Sequence, residues 1–351
     1  MNPRSNKWGW LFAAPALALL FFAVILPFAV AVGMTLTNQR LLSPNEVDFV
    51  GGENYARLLS LGFTEIPLKL DEGGNPLVSS AGEPLYQSLR EIKPSPPEQA
   101  SFQILKAFDW GDKRYAVLAK DPVFWRALFN TLYFVALVLP IQLCTALGLA
   151  LLVNANLPGR TTFRTLFFSP VVTSMVVAAI VWTFLYNENA GLINRLLGLI
   201  TGQENLAINW LGSEALAMPS IVIMSTWQGA GFQMLIFLAG LQSINSELYE
   251  AAKLDGANAI QRFFNVTLPG LKNTLVFVLI STTIAAFSLF IQVDIMTNGG
   301  PNDSTATLIF HAIRTGYREQ DVAYGASIAV VYFILVLGVA LLQNKLGGRR
   351  G

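Results

Sequence analysis

The polar side chains that fall inside the apolar stretches of this chain are nearly all uncharged. Ser225, Thr226, Trp227, Gln228 and Gln233 share one stretch; Ser281, Thr282, Thr283, Ser288 and Gln292 share another. Hydroxyls, amides and an indole ring bind by neutral hydrogen bonds and by ring faces. That chemistry suits a polar, uncharged solute such as a sugar. The same residue types also bond helix to helix and let helices pack closely, so both readings stand for each residue alone. Trp227, Gln228, Gln233, Ser281, Ser288 and Gln292 are the candidate solute contacts.

Other chemistries find few residues. The single Cys, Cys144, excludes an intrachain disulfide framework and a Cys-based zinc site, and the single His, His311, excludes a multi-His metal site. No metal site and no catalytic residue is therefore expected. His311 follows no GxSxG nucleophile motif, which leaves it a hydrogen-bonding loop histidine. The chain has no GxxxxGK[ST] loop to cradle nucleotide phosphates, so active transport would draw its energy from another subunit. Ion-driven pumps usually keep a carboxylate or His within the membrane. Here the interiors of the apolar stretches are nearly free of ionisable side chains, and Lys272 and Asp294 sit near opposite ends of one of them. That argues against an ion-coupled transporter, although sodium sites built from carbonyls stay open.

The elements that must position these residues are membrane spans. Hydrophobic residues make up 53% of the 351-residue chain and charged residues 13%, about half the usual charged fraction of a soluble domain. Residues 35–123 hold 21 of the 45 charges, so one water-facing segment interrupts a chain built for lipid. Six stretches reach the roughly 20 residues a spanning helix needs: 10–34, 127–153, 164–186, 215–243, 268–294 and 322–344. None alternates as a barrel strand does. The fold class expected is all-α integral membrane with six transmembrane helices. Ala29-Val30-Ala31 resembles a signal-peptide cleavage site, but the apolar run before it is longer than a signal core, so an uncleaved helix is expected. Short loops on one side carry ten Lys or Arg and those on the other three, which predicts cytoplasmic termini and an external 35–123 segment.

Between the fourth and fifth stretches the chain reads SELYEAAKLDGANAIQRFFNVTLPGLKN, residues 246–273. Ser246 can cap a helix with Glu247 at its positive end. Leu248, Ala251 and Ala252 then share a small apolar face, and Gly256 supplies a left-handed end. A second short helix is expected over 259–266, and Pro269 marks entry to the next span. A docking element and a plain surface loop remain equally good readings of these residues.

Glu250-Ala251-Ala252, Asp255-Gly256-Ala257 and Leu268-Pro269 resemble, in type and spacing, the EAA loop of permease subunits of binding-protein-dependent ABC importers. Other segments are similar to the sugar branch of that family, the maltose and glycerol-3-phosphate type. They are Phe49-Val50-Gly51-Gly52-Glu53-Asn54-Tyr55, Asp121-Pro122-Val123-Phe124-Trp125, Asn130-Thr131, Arg164 with Pro170, Asn209-Trp210-Leu211, Met296-Thr297-Asn298-Gly299-Gly300-Pro301 and Ser304-Thr305. The resemblance spans about 10–60 and 121–346. It implies the type I importer permease fold: residues 1–34 as cytoplasmic N-terminus and first helix, 35–123 as an external loop, 124–346 as a five-helix core containing the coupling loop 246–269, and 347–351 as a cytoplasmic tail.

It also implies a mechanism. Glu250, Ala251, Ala252, Asp255, Gly256 and Ala257 would seat in a cleft of a cytoplasmic ATP-binding subunit. Two copies of that subunit would hold ATP and magnesium; the chain itself would need no cofactor. A second permease subunit would complete the pathway, and an extracytoplasmic binding protein would deliver solute. Asn298, Gly299, Gly300 and Pro301 would lie at the outer mouth, although a simple turn explains a Gly-, Pro- and Asn-rich segment as well.

Residues 61–120 depart from the family pattern. They hold six prolines and the cluster Asp71-Glu72-Gly73-Gly74, with 94–100 resembling a linker and Tyr115-Ala116-Val117-Leu118 a strand. About 60 residues make a marginal core, so a small packed subdomain is expected and a disordered loop is the alternative. The functional expectation is a sugar or polyol permease of an inner-membrane importer. Its rivals are a channel or facilitator with no ATPase, and a membrane enzyme that lacks a catalytic constellation.

Overall fold

The computed structural model describes residues 3–43, 46–71, 73–79, 84–87, 101–111, 113–155, 158–203 and 206–348. The linker reading of 94–100 lies outside them, as does most of the 347–351 tail. Two compact units emerge, residues 1–125 with 311–331 and residues 126–310 with 332–351.

The first unit begins with helices α1 (Pro3–Leu20) and α2 (Leu26–Met34), joined through a π-helical turn at Phe21–Ile25. Together they supply the first span, Trp10–Met34. The turn after it is locked by the segment that follows. Asn54, on α3 (Glu53–Leu59), donates to the carbonyls of Thr35 (2.8 Å) and Thr37 (2.9 Å), and the Tyr55 hydroxyl bonds that of Thr35. Gly51, at φ 58°, makes the reversal that brings them there.

Next come strands β1 (Leu61–Ile66), β2 (Gln103–Trp110) and β3 (Lys113–Ala119), antiparallel in the order β1-β3-β2. Only β3 was expected from the sequence. Phe63 pairs with Val117 and Phe108 with Tyr115. One face buries Ile66, Ala116 and Leu118 under Tyr86 and Phe102. The other carries Phe63 stacked on Tyr115 at 5.3 Å, with Phe108 beside both. The described part of the 61–120 insert is thus a folded subdomain with its own small core.

Helix α4 (Pro122–Asn154) is the second span. The third stretch is not the single helix expected. It is α5 (Arg160–Val172) and α6 (Met175–Leu185), bent by 99°. Pro170 weakens the last turn of α5, and Thr173 and Ser174 take extended ψ values of 135° and 133°. After α7 (Leu192–Thr201), α8 (Glu214–Gln242) is the fourth span. The fifth stretch is broken too: α10 (Ala259–Arg262), a π-helical turn and α11 (Leu268–Gly270) meet α12 (Lys272–Phe287) at 68°. Helix α12 stops at Ser288, and α13 (Ile291–Met296) follows. After α14 (Leu308–Ile313), α15 (Val322–Gly348) carries the last span, Val322–Lys345. Among the described residues, four helices are therefore long and apolar enough to cross a membrane alone, and the count reaches six where each bent pair serves as one span.

Within the second unit, α5 packs on α8 because Gly231 has no side chain. A Cβ there would come within 2.2 Å of the Phe167 carbonyl oxygen. Small residues of this kind let membrane helices touch backbone to backbone.

Candidate solute cavity and its flanking loops

The polar residues of the second unit converge on a cavity of about 140 Å³ between α4, α6, α8, α12 and α13. Its polar wall is Gln142, Ser225, Gln228, Gln233, Thr282 and Gln292; Phe134, Val138, Met175 and Leu289 close the apolar side. Of the six candidates, Gln228, Gln233 and Gln292 lie here. Trp227 does not line the cavity. It is 44% exposed and rests against Trp182, ring centres 5.6 Å apart. Ser281 bonds carbonyls of its own helix, those of Phe277 and Val278, and Ser288 is a hydrogen-bond partner of Tyr332. For these two the packing reading describes what their hydroxyls do.

Sequence reasoning missed Gln142. It lies two residues beyond Pro140, isolated in an otherwise apolar run of α4. A lone amide in such a run was the available signal. Gly229 makes room for it, since a Cβ there would meet the Gln142 amide nitrogen at 2.5 Å.

The wall carries no charge, and its hydrogen bonding is incomplete. Gln233 donates to the Thr282 hydroxyl at 3.3 Å, yet its own carbonyl oxygen and the Ser225 hydroxyl are buried without a protein partner among the described residues. A buried polar atom left unpaired costs about 1–3 kcal/mol. An acceptor and a hydroxyl facing a shared cavity are satisfied by a molecule bearing hydroxyls.

The 297–307 loop is tightly folded. Asn298, Gly299, Asn302 and Asp303 all have positive φ, and the Gly300–Pro301 bond is cis. Gly299 is required: a Cβ there would meet the Phe310 ring at 2.7 Å. The hydroxyls of Thr297 and Thr305 bond at 2.7 Å, and Thr305 also donates to the Gly300 carbonyl. Asn298 and Asn302 are exposed, and Asn302 bonds Glu214 at the start of α8.

The EAA loop forms the expected pair of short helices with local corrections. Asn245, not Ser246, caps α9 (Ser246–Leu254), its side chain accepting from the Glu247 N–H at 3.0 Å. Ser246 is the first helical residue because Asn245 already holds the extended ψ a cap needs. Gly256, at φ 78°, turns the chain, and Asn258 with Gln261 forms a capping box for α10. The predicted 259–266 helix passes into a π-helical turn at Phe263–Thr267. Glu250, Ala251, Asp255 and Gly256 are exposed, and so are Leu248, Leu254 and Ile260, Leu254 at 90%.

In the first unit, His311 is buried rather than loose in a loop. Its Nε2 lies 2.9 Å from Asp121 Oδ2, which also accepts the Tyr324 hydroxyl at 2.7 Å, while Oδ1 accepts the Phe124 N–H. Burial opposes ionisation of Asp121. The hydrogen bond and attraction of His311, with the Phe124 and Tyr324 donors, outweigh it and hold the carboxyl at about 2.

Residues 116–350 match the family described as "Binding-protein-dependent transport system inner membrane component". The chain belongs to that family. It is 37% identical over 248 residues to the probable ABC transporter permease protein YurN of Bacillus subtilis, covering 70% of this chain and 84% of the relative. It is 34% identical to the sn-glycerol-3-phosphate transport system permease protein UgpA of Yersinia pestis, covering 77% and 88%. Against the trehalose/maltose transport system permease protein MalF of Thermococcus litoralis it is 33% identical, covering 68% and 79%. In fold it is similar to a chain of a bacterial ABC transporter that imports the acidic polysaccharide alginate, with a TM-score of 0.68, 18% identity and coverage of 99% and 98%. The chain is thus a permease subunit of that inner-membrane family, with the importer permease fold.

Proposed function

We propose that this permease passes a neutral sugar or related polyol through the second-unit cavity. The observation that carries this is the polar wall of Gln142, Ser225, Gln228, Gln233, Thr282 and Gln292, which contains no charged residue. Relatives are named for both an anionic and a neutral solute, sn-glycerol-3-phosphate and trehalose/maltose. Phosphate recognition calls for Arg or Lys, and the wall offers neither. At about 140 Å³ the cavity has the volume of roughly five waters. Passage of a sugar therefore requires the helices to part.

Helix parting is driven from the EAA loop. Glu250, Ala251, Ala252, Asp255, Gly256 and Ala257 engage one of two ATP-binding subunits, which hold ATP and magnesium. Exposed Leu248, Leu254 and Ile260 flanking those residues support this reading, as an apolar surface on a polar loop suits a protein partner. Both termini are cytoplasmic. A second permease subunit completes the pathway, and an extracytoplasmic solute-binding protein feeds it.

Purification of the tagged chain in mild detergent, with mass spectrometry of its companions, tests the assembly. A stoichiometric ATP-binding subunit and a second permease are expected. A clean homo-oligomer, under conditions that preserve a known importer, would overturn the reading in favour of a channel. Glu250→Ala and Gly256→Pro are expected to abolish uptake while insertion persists; full uptake by either would remove the coupling assignment.

A further inference from the structure

Helices α6 and α8 carry consecutive spans, so the chain between Leu185 and Glu214 leaves and re-enters the membrane at one face. Helix α7 lies in that connection and is stapled to both of its arms. The buried Asn194 amide donates to the carbonyls of Glu188 and Ile208, each at 2.9 Å, and its Oδ1 accepts the Trp210 indole N–H at 2.7 Å. Gly198, also buried, lets the chain fold back after the helix: a Cβ there would meet the Gln203 carbonyl oxygen at 2.5 Å. Helix α7 is therefore held at the level where the two spans end. Aromatic rings mark that level. Trp182, Tyr186 and Trp210 pack in series, centres 5.3 and 5.7 Å apart, and Trp and Tyr concentrate where bilayer meets water.

The helix is turned the wrong way round for water. Asn194 is buried, and Ile193 packs on the core that holds Tyr186 and Trp210. Outward it shows Leu192, Leu196, Leu199 and Ile200, spaced as one helical stripe, with Leu199 and Ile200 each 80% exposed. Arg195 is exposed at the border of the stripe. Beside it opens a cleft of about 550 Å³, edged by Arg195, Gly198, Leu199, Gly202 and Gln203. The 10 residues of α7 make about 15 Å of helix, too short to span a bilayer and long enough to lie along its surface.

We propose that α7 lies flat in the bilayer interface as a lipid-binding helix, with Leu192, Leu196, Leu199 and Ile200 among the acyl chains and Arg195 at the phospholipid phosphates. An apolar stripe edged by a cation is the pattern of an interfacial helix, and the long Arg stem lets its charge stay with the headgroups. Because Asn194 ties the helix to both arms of the connection, its seat in lipid sets the depth at which α6 and α8 end. Membrane placement follows from the family alone, so this role stands whichever solute the permease carries.

The test is spin labelling of the complete complex, reconstituted in vesicles of phosphatidylethanolamine and phosphatidylglycerol, with Cys144→Ser removing the native thiol. Labels at Leu199→Cys and Ile200→Cys should collide with oxygen, which dissolves among acyl chains, several-fold more than with a water-soluble nickel chelate. A label at Arg195→Cys should show a smaller excess. Nickel collisions that exceed those of oxygen at 199 and 200 would place the stripe in water. Shielding from both reagents would show that a protein partner covers it. Either result overturns the proposal. If the cysteine variants do not assemble, the unaltered complex is photolabelled with an aryl diazirine that partitions into lipid. Modification within residues 192–200 is expected, and its absence there while other spans are labelled overturns the proposal equally.

Discussion

Gln233 joins two jobs in one side chain. Its amide hydrogen binds Thr282 across the helix pair, and its carbonyl is left for a visitor. Gln233→Leu keeps the bulk and removes both. It is expected to raise the half-saturating solute concentration for uptake about tenfold, equal to roughly 1.4 kcal/mol, with complex assembly intact. Gln142→Leu should do the same to a smaller extent, because Gln142 shares the wall with three other glutamines. Unchanged uptake by both variants would remove the cavity from the pathway. Asp121 makes a different prediction. Its folded carboxyl titrates at about 2, below the ordinary 3.8. A depressed carboxylate contributes stability above its ordinary value and loses it as pH falls through the folded one. The contribution is about 2 kcal/mol at neutral pH, fading between roughly pH 4 and pH 2. Melting temperatures of detergent-solubilised protein across that range should fall for the unaltered chain, while Asp121→Asn starts lower and varies less.

At the scale of elements, glycine placement decides which helices touch. Gly231→Val should drive α5 off α8, since even a Cβ would overlap the Phe167 carbonyl. A cost of about 1–3 kcal/mol is expected, read as a lower melting temperature and a poorer yield of assembled complex. Gly256→Ala is milder; there is open space around it, and only the left-handed backbone objects. The positions of the four unbroken spans were legible in the sequence, because lipid demands long apolar runs. The breaks in the third and fifth were not, because Pro170 sits inside an apolar run that reads as continuous, and the packing of α5 on α8 at Gly231 is a tertiary contact. The EAA loop was legible because its turns rest on local chemistry: Gly256 at positive φ and Asn258 at a cap. Gln142 escaped notice because convergence of α4 with α8 and α13 is a tertiary fact. The motif residues Asn54 and Asn130 matched a family pattern without a visible reason. Each proves to be an amide that bonds two backbone carbonyls.

For the whole molecule, the insert between the first two spans behaves as an addition. Its sheet closes a core of its own under Tyr86 and Phe102. Replacement of residues 61–120 by a short Gly/Ser linker should leave six protease-protected spans and normal recovery of partner subunits; loss of insertion would show that the sheet is part of the permease core. The bent third span carries a consequence for how the chain is made. Helices α5 and α6 have 13 and 11 residues, roughly 20 and 17 Å at 1.5 Å per residue, and neither alone crosses a bilayer core of about 30 Å. Arg160 and Arg164 burden the first half further. The seat for α5 is Gly231, which lies more than 50 residues later in the chain. The α5–α8 contact at Gly231 can therefore close only after more than 50 further residues have been made, which places it late in the synthesis of this unit.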